Sequence, residues 1–353
     1  MRRKSFALVL IFSVLLFTLS CSNSKKVSAF TEQVDTLLLK SGFQGQVLVA
    51  RNNKVICKKG CGTWNSAKAD SPVIDSNTVF EAGSLTKQIT AAAILQLDKK
   101  KKLSIDDKLS KYYPEYKYGD QITLRMLLNM RSGLTDCINA GNEYFPKYVL
   151  RQIEELQLKN QPVDEDIVVK YLYDAPLLAP PDSTYFYCNT NYVLLAKIIE
   201  KVSGLSYKEY IQRNIFKPCK MNSANLNFQD TDAVGYDYKG RYYSIPSSLA
   251  MGCGDLNASA EDLLKWNQAL VKGKVISKKQ FKQMIETEGS YGFGIYHKDN
   301  MIFHGGTTNV FNAYNCYYLD SGLSIIVLSN TSITQTNTAG IAGKIYKLYE
   351  NLL

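Results

Sequence analysis

The sequence predicts an α/β protein of the α+β type, in which one antiparallel sheet built from both chain ends is flanked by helices. Strand patterns occur near the start of the chain and again near its end, whereas the long middle segment has helical periodicity. This order of elements is expected when a mostly helical domain is inserted into a sheet domain. With 353 residues and 45% hydrophobic composition, the chain is long and apolar enough to bury a sizeable core.

The first predicted elements are a helix and a β-hairpin. Residues 30–41 place their apolar side chains on one helical face and are followed by Gly42, which readily adopts the left-handed conformation of a helix end. Residues 46–50 and 54–57 are apolar-rich runs separated by the turn-prone pair Asn52-Asn53. We therefore expect these two runs to pair as strands of the sheet.

The other strands of the sheet are predicted near the end of the chain. Four strand-like runs follow one another with short turns between them, at residues 291–297, 301–304, 310–319 and 323–330. A closing helix is expected at 337–352, because its apolar residues recur on one face. These elements and the first hairpin define a predicted sheet subdomain, residues 29–83 and 285–353.

Residues 84–284 form the predicted helical subdomain. Its helices are marked by threonine or serine at the start and by glycine at the end, and two starts have an acid three residues further on, as in a capping box. The marked segments are Thr123 to Gly133, Thr190 to Gly204, Ser206 with Glu209, and Ser259 with Asp262. A cleft is expected where the helical and sheet subdomains meet.

The N-terminus has the pattern of an export signal. Residues 6–19 are almost entirely apolar, follow three basic residues, and are fewer than the ~20 that a membrane-spanning helix needs. They lead into Thr18-Leu19-Ser20-Cys21, which resembles a bacterial lipoprotein box with Cys21 as the lipidated residue. We therefore predict a signal peptide at 1–21, a polar tether at 22–28 and a folded domain at 29–353. Export to the periplasm or cell surface with a lipid anchor is expected, with plain secretory cleavage or an uncleaved anchor as alternatives.

Composition excludes several classes of function. The chain has only two histidines, so a three-histidine zinc site cannot be assembled, and neither a metal nor an organic cofactor is expected. The net charge of +10 is spread over short lysine pairs, so nucleic acid is not an expected partner. Seven cysteines follow Cys21, and an odd number leaves at least one thiol free. Cys57 and Cys61 lie in one predicted strand, ~13 Å apart, which is too far for a disulfide.

Ser84 and Lys87, at the start of a predicted helix, are the first candidates for chemistry. They are three residues apart and so share one helical face. A serine hydroxyl becomes a good nucleophile when a neighbour takes its proton, and a lysine does so when burial lowers its pKa from ~10.4 to ~7 to 8. Free N–H groups at the helix start also favour negative charge on the reacting oxygen. Taken alone, the spacing is more typical of a capped helix with an exposed lysine.

Tyr187 and Asn189 are the next candidates. They lie between a Pro-Pro loop and a predicted helix, where a phenol and an amide can face a cleft. A tyrosine beside a cationic lysine can have a lowered pKa, so either Tyr187 or Lys87 is a candidate base. The structural alternative is a packed tyrosine beside an asparagine at a helix start.

His304, Gly306 and Thr307 complete the candidate set. They follow a predicted strand, where glycines allow a substrate acyl group to lie close against the backbone. The neighbouring N–H can then bind the oxyanion. Taken by itself, His304 is more often a structural histidine than a binding residue.

Five blocks of this sequence, in this order, resemble the serine β-lactamase-related hydrolases. That family includes class C β-lactamases, D-alanyl-D-alanine carboxypeptidases, D-aminopeptidases and family VIII esterases. The matching blocks are Phe80 to Lys87, Thr123 to Leu134, Tyr187 to Asn189, Gly252 to Trp266 and His304 to Phe311. The resemblance covers residues 30–350 and implies a β-lactamase/transpeptidase-like fold.

The resemblance also implies roles for the matched residues. Ser84 would be the acylating nucleophile, with Lys87 and Tyr187 as the proton-transfer pair. Asn189 would bind the lysine and the substrate, and His304 would occupy the third-motif position beside Gly306. Backbone N–H groups of Ser84 and Thr307 would form the oxyanion hole. A Ser-His-Asp enzyme fits less well, because the sequence contains no Gly-x-Ser-x-Gly.

Two departures from the family pattern bear on the substrate. Many β-lactamases have lysine at the third-motif position, whereas His304 is mostly neutral at pH 7, so efficient β-lactam turnover is not expected. Val310 stands where relatives usually have glycine, which changes the backbone path or the room beside the acyl group. Four tyrosines are candidates to line an apolar substrate site, although a packed surface loop is the alternative: Tyr236, Tyr238, Tyr242 and Tyr243.

We therefore expect an exported serine hydrolase that acts through an acyl-enzyme on a small-molecule or peptide substrate. The scissile bond would be an ester or amide, as in a D-amino-acid peptide, a small ester or a β-lactam. Transfer of the same acyl group to an alcohol or amine would instead make the protein a transacylase. A penicillin-binding sensor that stays acylated, or an inert binding protein, is the remaining alternative.

Overall fold

In the part of the chain that the structure describes, the strands form two antiparallel sheets. The computed structural model describes residues 25–138, 166–227, 230–235, 247–308, 310–332 and 334–351. Its strands are β1 Gly45–Arg51, β2 Lys54–Cys61, β3 Phe80–Gly83, β4 Leu256–Ala258, β5 Tyr296–Lys298, β6 Met301–Thr307, β7 Asn312–Tyr318 and β8 Leu323–Ser329. Six strands form the main sheet in the order β2-β1-β8-β7-β6-β5, and β3 pairs with β4 in a small second sheet. Because β1 lies between β2 and β8, the predicted sheet from both chain ends is confirmed.

Helices cover both faces of the main sheet. They are α1 25–40, α2 Thr86–Lys99, α3 Leu124–Leu128, α4 Ile167–Asp174, α5 Asn189–Ser203, α6 Tyr207–Ile211, α7 Lys217–Cys219, α8 Ser247–Ala250, α9 Ala260–Val271, α10 Lys278–Ile285 and α11 Thr338–Glu350. A π-helical turn, Gln212–Phe216, links α6 to α7, and short 3-10 turns occur at Leu109–Lys111 and Gly119–Gln121. Among the described residues, no helix combines the length and the apolar character needed to cross a membrane.

The sequence of β1 explains why the sheet is covered on both faces. Val47 and Val49 belong to a smaller core that also contains residues of α1 and α11. Leu48 and Ala50 belong to the larger core, which contains α2, α5 and α9. Successive side chains of a strand point to opposite faces, so a strand that is apolar throughout requires a layer of helices on each side.

Several predicted elements have different bounds in the structure. The first helix is already helical at residue 25, so residues 25–28 of the predicted tether are part of it. The helix capped by Thr123 ends at Leu128 and not at Gly133, because the chain turns at Met130, where φ is 61°. The division into sheet and helical subdomains and the signal peptide at 1–21 stay predictions.

The strand predicted at 291–297 is also shorter, since only Tyr296–Lys298 belongs to β5. Gly294 has φ of 70°, and a Cβ atom there would lie 2.4 Å from the carbonyl oxygen of Lys87. This left-handed turn brings the chain against α2, and β5 therefore begins only after it, at Tyr296. No sequence pattern predicted β3 and β4, and β4 lies within the range predicted to be mostly helical.

The predicted helix caps are largely confirmed. Ser206 and Glu209 form a reciprocal capping box at the start of α6. Ser259 accepts a hydrogen bond from Asp262 N, but the box is incomplete because the Asp262 carboxylate accepts from Ser223 instead. The α5 helix starts one residue before Thr190 and ends at Gly204, where φ is 71°.

The described cysteines are small side chains without disulfide bonds, and most of them are buried. All seven described cysteines are free, and only Cys61 is not fully buried. Cys57 and Cys61 lie in β2, whose extended backbone keeps them apart.

Candidate active site

Ser84 lies in the tight turn that joins β3 to α2. The sequence placed it in the first helical turn, but α2 begins two residues later, at Thr86. Gly83 precedes it with φ of 52°, and a Cβ atom on Gly83 would lie 2.9 Å from Thr307 N. Glycine at this position therefore allows the end of β3 to lie directly against the end of β6.

Two polar side chains contact the Ser84 hydroxyl. The Nζ atom of Lys87 is 3.0 Å from Ser84 Oγ, and the Tyr187 hydroxyl donates to the same oxygen at 2.9 Å. Lys87 Nζ also donates to Asn189 Oδ1 at 2.8 Å and to the carbonyl oxygen of Cys253 at 2.6 Å. The structure thus brings together the serine, lysine, tyrosine and asparagine that the sequence singled out from two separate segments.

Burial determines the charge of Lys87. Its side chain is fully buried, and loss of hydration lowers the pKa of the amine, although the nearby Cys253 and Asp136 act in the opposite direction. A neutral amine has two hydrogens and one lone pair, and a carbonyl oxygen can only accept. In the neutral form that burial favours, the two hydrogens go to Asn189 and the Cys253 carbonyl, and the lone pair faces Ser84 Oγ.

Asp136 fixes the orientation of Asn189. The Nδ2 atom of Asn189 lies 3.1 and 3.3 Å from the two carboxylate oxygens of Asp136, and the Asn189 backbone N–H donates to the same carboxylate at 2.9 Å. With its nitrogen turned toward Asp136, the amide presents Oδ1 to Lys87. Asp136 was missed because it lies two residues beyond the end of the matching block at Leu134.

The prediction that Tyr187 could have a lowered pKa is wrong. Burial raises its pKa well above the ordinary value, and the hydrogen bond with Ser84 offsets this only in part. The physical reason is that burial removes the hydration that a charged phenolate needs. Tyr187 is therefore a neutral hydrogen-bond donor in this site.

His304 lies on β6 and is neutral. Burial, followed by the proximity of Lys87, lowers its pKa to about 3. Its Nδ1 atom is 2.5 Å from the carbonyl oxygen of Gly305, and its Nε2 atom is 3.2 Å from the Tyr291 hydroxyl. Because a carbonyl only accepts, Nδ1 carries the hydrogen and Nε2 accepts from Tyr291.

Gly306 permits the close approach of β6 to the segment that carries the serine. A Cβ atom on Gly306 would lie 1.9 Å from the carbonyl oxygen of Ala82. The next residue, Thr307, ends β6 and lies against Gly83. The two backbone groups expected to bind an oxyanion thus belong to segments in direct contact.

These residues surround a cleft with a volume of about 400 Å³. Its described lining consists of Ser84, Ile138, Tyr187, Asn189, Ala250, Cys253, Gly254, Tyr296, His304, Gly305, Thr307 and Thr308. Val310 is fully buried against Gly235 and is not among the lining residues. The four tyrosines predicted to line the site, Tyr236, Tyr238, Tyr242 and Tyr243, lie outside the described residues.

Cys253 lines the cleft, but its thiol is a poor competitor for Ser84. Burial raises its pKa to about 12, so the nucleophilic thiolate is not formed near neutral pH. Its contribution to the site is the backbone carbonyl that accepts from Lys87. A contact made by a backbone carbonyl does not depend on residue type, so the sequence did not predict it, although the block from Gly252 to Trp266 resembles the family.

Within the described parts of the chain, no group of three or more histidine, cysteine or acidic side chains is arranged to hold a metal ion.

The aromatic wall beside His304 was also missed. Tyr296 lines the cleft, stacks on Phe303, and lies 5.2 Å from the His304 ring between centroids. Its hydroxyl is 2.9 Å from that of Tyr185. The sequence contained a usable signal, since Tyr296 falls within a predicted strand next to the third-motif block.

Fold and site together define a class of protein. An antiparallel sheet with helices on both faces, and a serine in the turn before a helix with lysine one turn on, are the features of the serine β-lactamase-related hydrolases. The class that the sequence resembled is therefore confirmed.

Comparison with known proteins identifies the particular family. Residues 40–345 match the family model described as Beta-lactamase, and the chain belongs to that family. The putative penicillin-binding protein PbpX of Bacillus subtilis is 32% identical over 330 residues, which cover 90% of this chain and 78% of that protein.

Two solved structures share the fold. FmtA from Staphylococcus aureus has a TM-score of 0.78 at 23% identity, covering 92% of this chain and 90% of that chain. The D-amino acid amidase from Ochrobactrum anthropi, complexed with L-phenylalanine amide, has a TM-score of 0.74 at 17% identity and covers 93% and 99%.

Proposed function

We propose that this protein is an exported acyl hydrolase that forms an acyl-enzyme on Ser84 and acts on an uncharged ester or amide. The observation that carries the proposal is the position of Ser84 Oγ between Lys87 Nζ, at 3.0 Å, and the Tyr187 hydroxyl, at 2.9 Å. Both distances are within reach for proton transfer. The serine also borders the cleft, where a substrate can approach it.

In the first half of the reaction, Lys87 is the base. Its lone pair takes the Ser84 proton while Ser84 Oγ forms a bond to the substrate carbonyl carbon. The carbonyl oxygen gains the negative charge and is bound by the backbone N–H groups of Ser84 and Thr307. The bond to the leaving group then breaks, and Tyr187 donates a proton to the leaving group. Lys87 passes the proton that it took from Ser84 to Tyr187, which restores the phenol.

In the second half, water replaces the leaving group. Tyr187 and Lys87 take a proton from the attacking water, the bond from Ser84 to the acyl carbon breaks, and Ser84 recovers its hydrogen. Asn189 holds Lys87 in place in both halves through the 2.8 Å hydrogen bond. His304 and Gly306 border the acyl group without contributing charge.

The charge of the cleft selects the substrate class. None of the described lining residues carries a formal charge at neutral pH, because His304 is neutral and the others are uncharged. The Asp136 carboxylate lies directly behind Asn189. A free carboxylate beside the scissile bond would find no cation to pair with among the described lining residues, which is costly. Esters, amides and internal peptide bonds therefore fit better than carboxylate-bearing peptides or β-lactams.

The Ochrobactrum anthropi neighbour suggests one concrete class of substrate to test. That protein is a D-amino acid amidase, and this chain shares its fold. We include D-amino-acid amides and esters in the proposed substrate class on that basis.

Matched substrates test the proposal. The panel pairs a D-alanyl-D-alanine peptide with its C-terminal amide, and adds p-nitrophenyl acetate and a chromogenic β-lactam. We expect the amide and ester to be cleaved faster than the carboxylate and the β-lactam, and all cleavage to be lost in Ser84→Ala. Full activity of Ser84→Ala on any of these substrates would contradict the proposal.

The fate of the acyl group separates hydrolysis from the alternatives. Intact mass after exposure to p-nitrophenyl acetate should show a transient adduct, and added alcohols or amines should not divert the product. Diversion to the added nucleophile would assign a transacylase. A persistent adduct would assign a sensor, and no adduct with either the ester or penicillin would assign an inert protein.

We also propose that Cys21 anchors the protein to a membrane through an attached lipid. The support is the apolar run at 6–19 followed by the lipoprotein-box pattern. In cells fed labelled palmitate, the full chain should incorporate label and fractionate with membranes. The Cys21→Ser variant should do neither, and retention of label in that variant would contradict the proposal.

A further inference from the structure

Two buried oxygen atoms close to the cleft have no hydrogen-bond partner among the described residues. They are Oε1 of Glu81 and Oδ1 of Asn257, which belong to residues that are 3% and 0% exposed. Leaving a buried acceptor unpaired destabilises a folded protein, and such atoms are uncommon. Two of them on neighbouring strands therefore require an explanation.

The two oxygens belong to directly paired residues. Glu81 on β3 is opposite Asn257 on β4 in an antiparallel pair, so the two side chains leave the strands on the same face and within reach of each other. The Asn257 amide is oriented by its nitrogen, which donates to Asn225 Oδ1 at 2.9 Å and to the carbonyl oxygen of Asn227. Its Oδ1 is thus left to face another partner.

A single proton satisfies both atoms. A carboxylate oxygen and an amide oxygen only accept hydrogen bonds and cannot bond to each other, whereas a protonated carboxyl group donates one. A proton on Glu81 therefore gives both Oε1 and Asn257 Oδ1 a partner. Burial also raises the pKa of Glu81 to about 7, which favours the protonated form.

Glu81 is also connected to the cleft through Thr308. The Thr308 side chain lies close enough to Glu81 to lower the pKa of its carboxyl group, and its Oγ1 accepts from Phe311 N at 3.1 Å, so its hydroxyl hydrogen is available for Glu81. Thr308 lines the cleft and directly follows Thr307. Glu81 is thus tied to the backbone that is proposed to bind the acyl oxygen.

We propose that Glu81 is a positioning residue that is held protonated, donates to Asn257, accepts from Thr308, and so fixes the backbone at Thr307. This inference rests on the proposed acyl hydrolase, because its activity readouts require that chemistry. Glu81 does not touch the substrate, and it acts through the position of the Thr307 N–H. Misplacing one oxyanion donor lowers kcat more than it changes KM.

Several titratable groups lie near β3, and the Glu81→Gln variant separates the effect of Glu81 on the pH profile from theirs. β4 and β8 contain none. The groups on the remaining neighbouring elements are Lys87 on α2, His304 on β6, Tyr314, Cys316, Tyr317 and Tyr318 on β7, and Asp232 and Asp255 beside β3 and β4. Burial raises the pKa of Asp255 to about 7 as well, so a change in the pH profile is assigned to Glu81 only if Glu81→Gln removes it.

The test compares Glu81→Gln with Glu81→Ala, using p-nitrophenyl acetate from about pH 5 to about pH 9. The glutamine amide donates to Asn257 and accepts from Thr308 at every pH, so Glu81→Gln should retain kcat and lack the decline that the parent shows as Glu81 ionises. Glu81→Ala should lose about tenfold to a hundredfold in kcat with little change in KM. Tyr349→Phe removes another buried oxygen without a partner, in the other core, and should leave the profile unchanged.

Two outcomes would overturn the inference. Glu81→Ala could have the kcat of the parent, or Glu81→Gln could show the same alkaline decline as the parent.

If the proposed function itself is wrong, the parent protein will show no acylation that depends on Ser84, and this outcome is distinct from the two above. In that case thermal unfolding tests Glu81. Its folded pKa is raised, so its stabilisation is present at low pH and is lost as pH rises to about 7. The parent melting temperature should therefore fall over this range relative to Glu81→Gln, and parallel curves would overturn the inference.

Discussion

The amine of Lys87 lies 3.0 Å from the hydroxyl oxygen of Ser84, and Lys87 is fully buried. Its remaining polar contacts are the carbonyl oxygens of Asn189 and Cys253, which only accept hydrogen bonds. When this amine is neutral, as burial favours, and donates its two hydrogens to these acceptors, its lone pair is directed at the serine. The chemistry of the site follows from this single contact, and the predictions below test its parts.

Replacing the base should abolish most of the activity. Lys87→Met keeps an apolar chain of similar length but removes the proton acceptor, so the acylation rate should fall by about 100-fold to 10,000-fold. The rate is measured from the burst of p-nitrophenol. Lys201→Met is the matched control, since that lysine donates to the carbonyl oxygen of Tyr112 away from the cleft. Equal losses in the two variants would show that the effect is structural.

Removing the Tyr187 hydroxyl should slow the reaction without unfolding the protein. The ring contacts of Tyr187 with Tyr291 and His304 remain in Tyr187→Phe. Only the 2.9 Å hydrogen bond to Ser84 is lost, so kcat should fall by about 100-fold while the melting temperature changes little. A variant with parent kcat would exclude Tyr187 from proton transfer.

The pH dependence should report the charge on Lys87. Acylation requires the neutral amine, so activity rises with pH through the pKa of Lys87. Asp136 raises that pKa, although burial lowers it more. Asp136→Asn should therefore move the acid limb of the kcat/KM profile to lower pH, by about one unit or less.

The control for this shift is Asp106→Asn, which removes an exposed carboxylate paired with Arg125. Its profile should match that of the parent. Movement of the acid limb to higher pH in Asp136→Asn would contradict the assignment of Lys87 as the base.

A cation at His304 should change the substrate preference. In His304→Lys, a carboxylate beside the scissile bond gains a partner at the third-motif position. The ratio of kcat/KM for the D-alanyl-D-alanine peptide to that for its C-terminal amide should rise by about tenfold or more. His297→Lys places the same charge outside the described cleft lining and should leave the ratio unchanged. An unchanged ratio in both variants would mean that the acidic group binds elsewhere.

Two adjacent glycines provide a matched test of the backbone contact. A Cβ atom on Gly306 would lie 1.9 Å from the Ala82 carbonyl oxygen, whereas one on Gly305 would be 3.9 Å from its nearest neighbour. Gly306→Ala should therefore destabilise the fold by about 1 to 3 kcal/mol and lower activity, while Gly305→Ala should have a melting temperature close to that of the parent. Equal stability of the two variants would contradict the close packing of β6 against β3.

The sequence predicted the parts of the fold that depend on local pattern. The continuous apolar run of β1 and the helix ends at Ser206 and Gly204 are local features, and they occur where expected. β3 and β4 are short and fully buried, so they have no alternation to recognise. Their pairing depends on contacts between segments far apart in the chain.

The candidate site divides in the same way. Ser84, Lys87, Tyr187 and Asn189 were found because their side chains carry the chemistry. The Cys253 carbonyl and the orientation of Asn189 by Asp136 were not found, because backbone contacts and buried partners leave no fixed spacing. The charge states depend on burial, which explains why the expectation for Tyr187 failed.

The most direct test of the central claim is the intact mass of the protein, followed by peptide mapping, after brief exposure to p-nitrophenyl acetate. We predict one acetyl group on the peptide that contains Ser84, no adduct in Ser84→Ala, and slow formation in Lys87→Met. Acetylation of Ser84→Ala at the same rate, or of a different residue in the parent, would contradict the account.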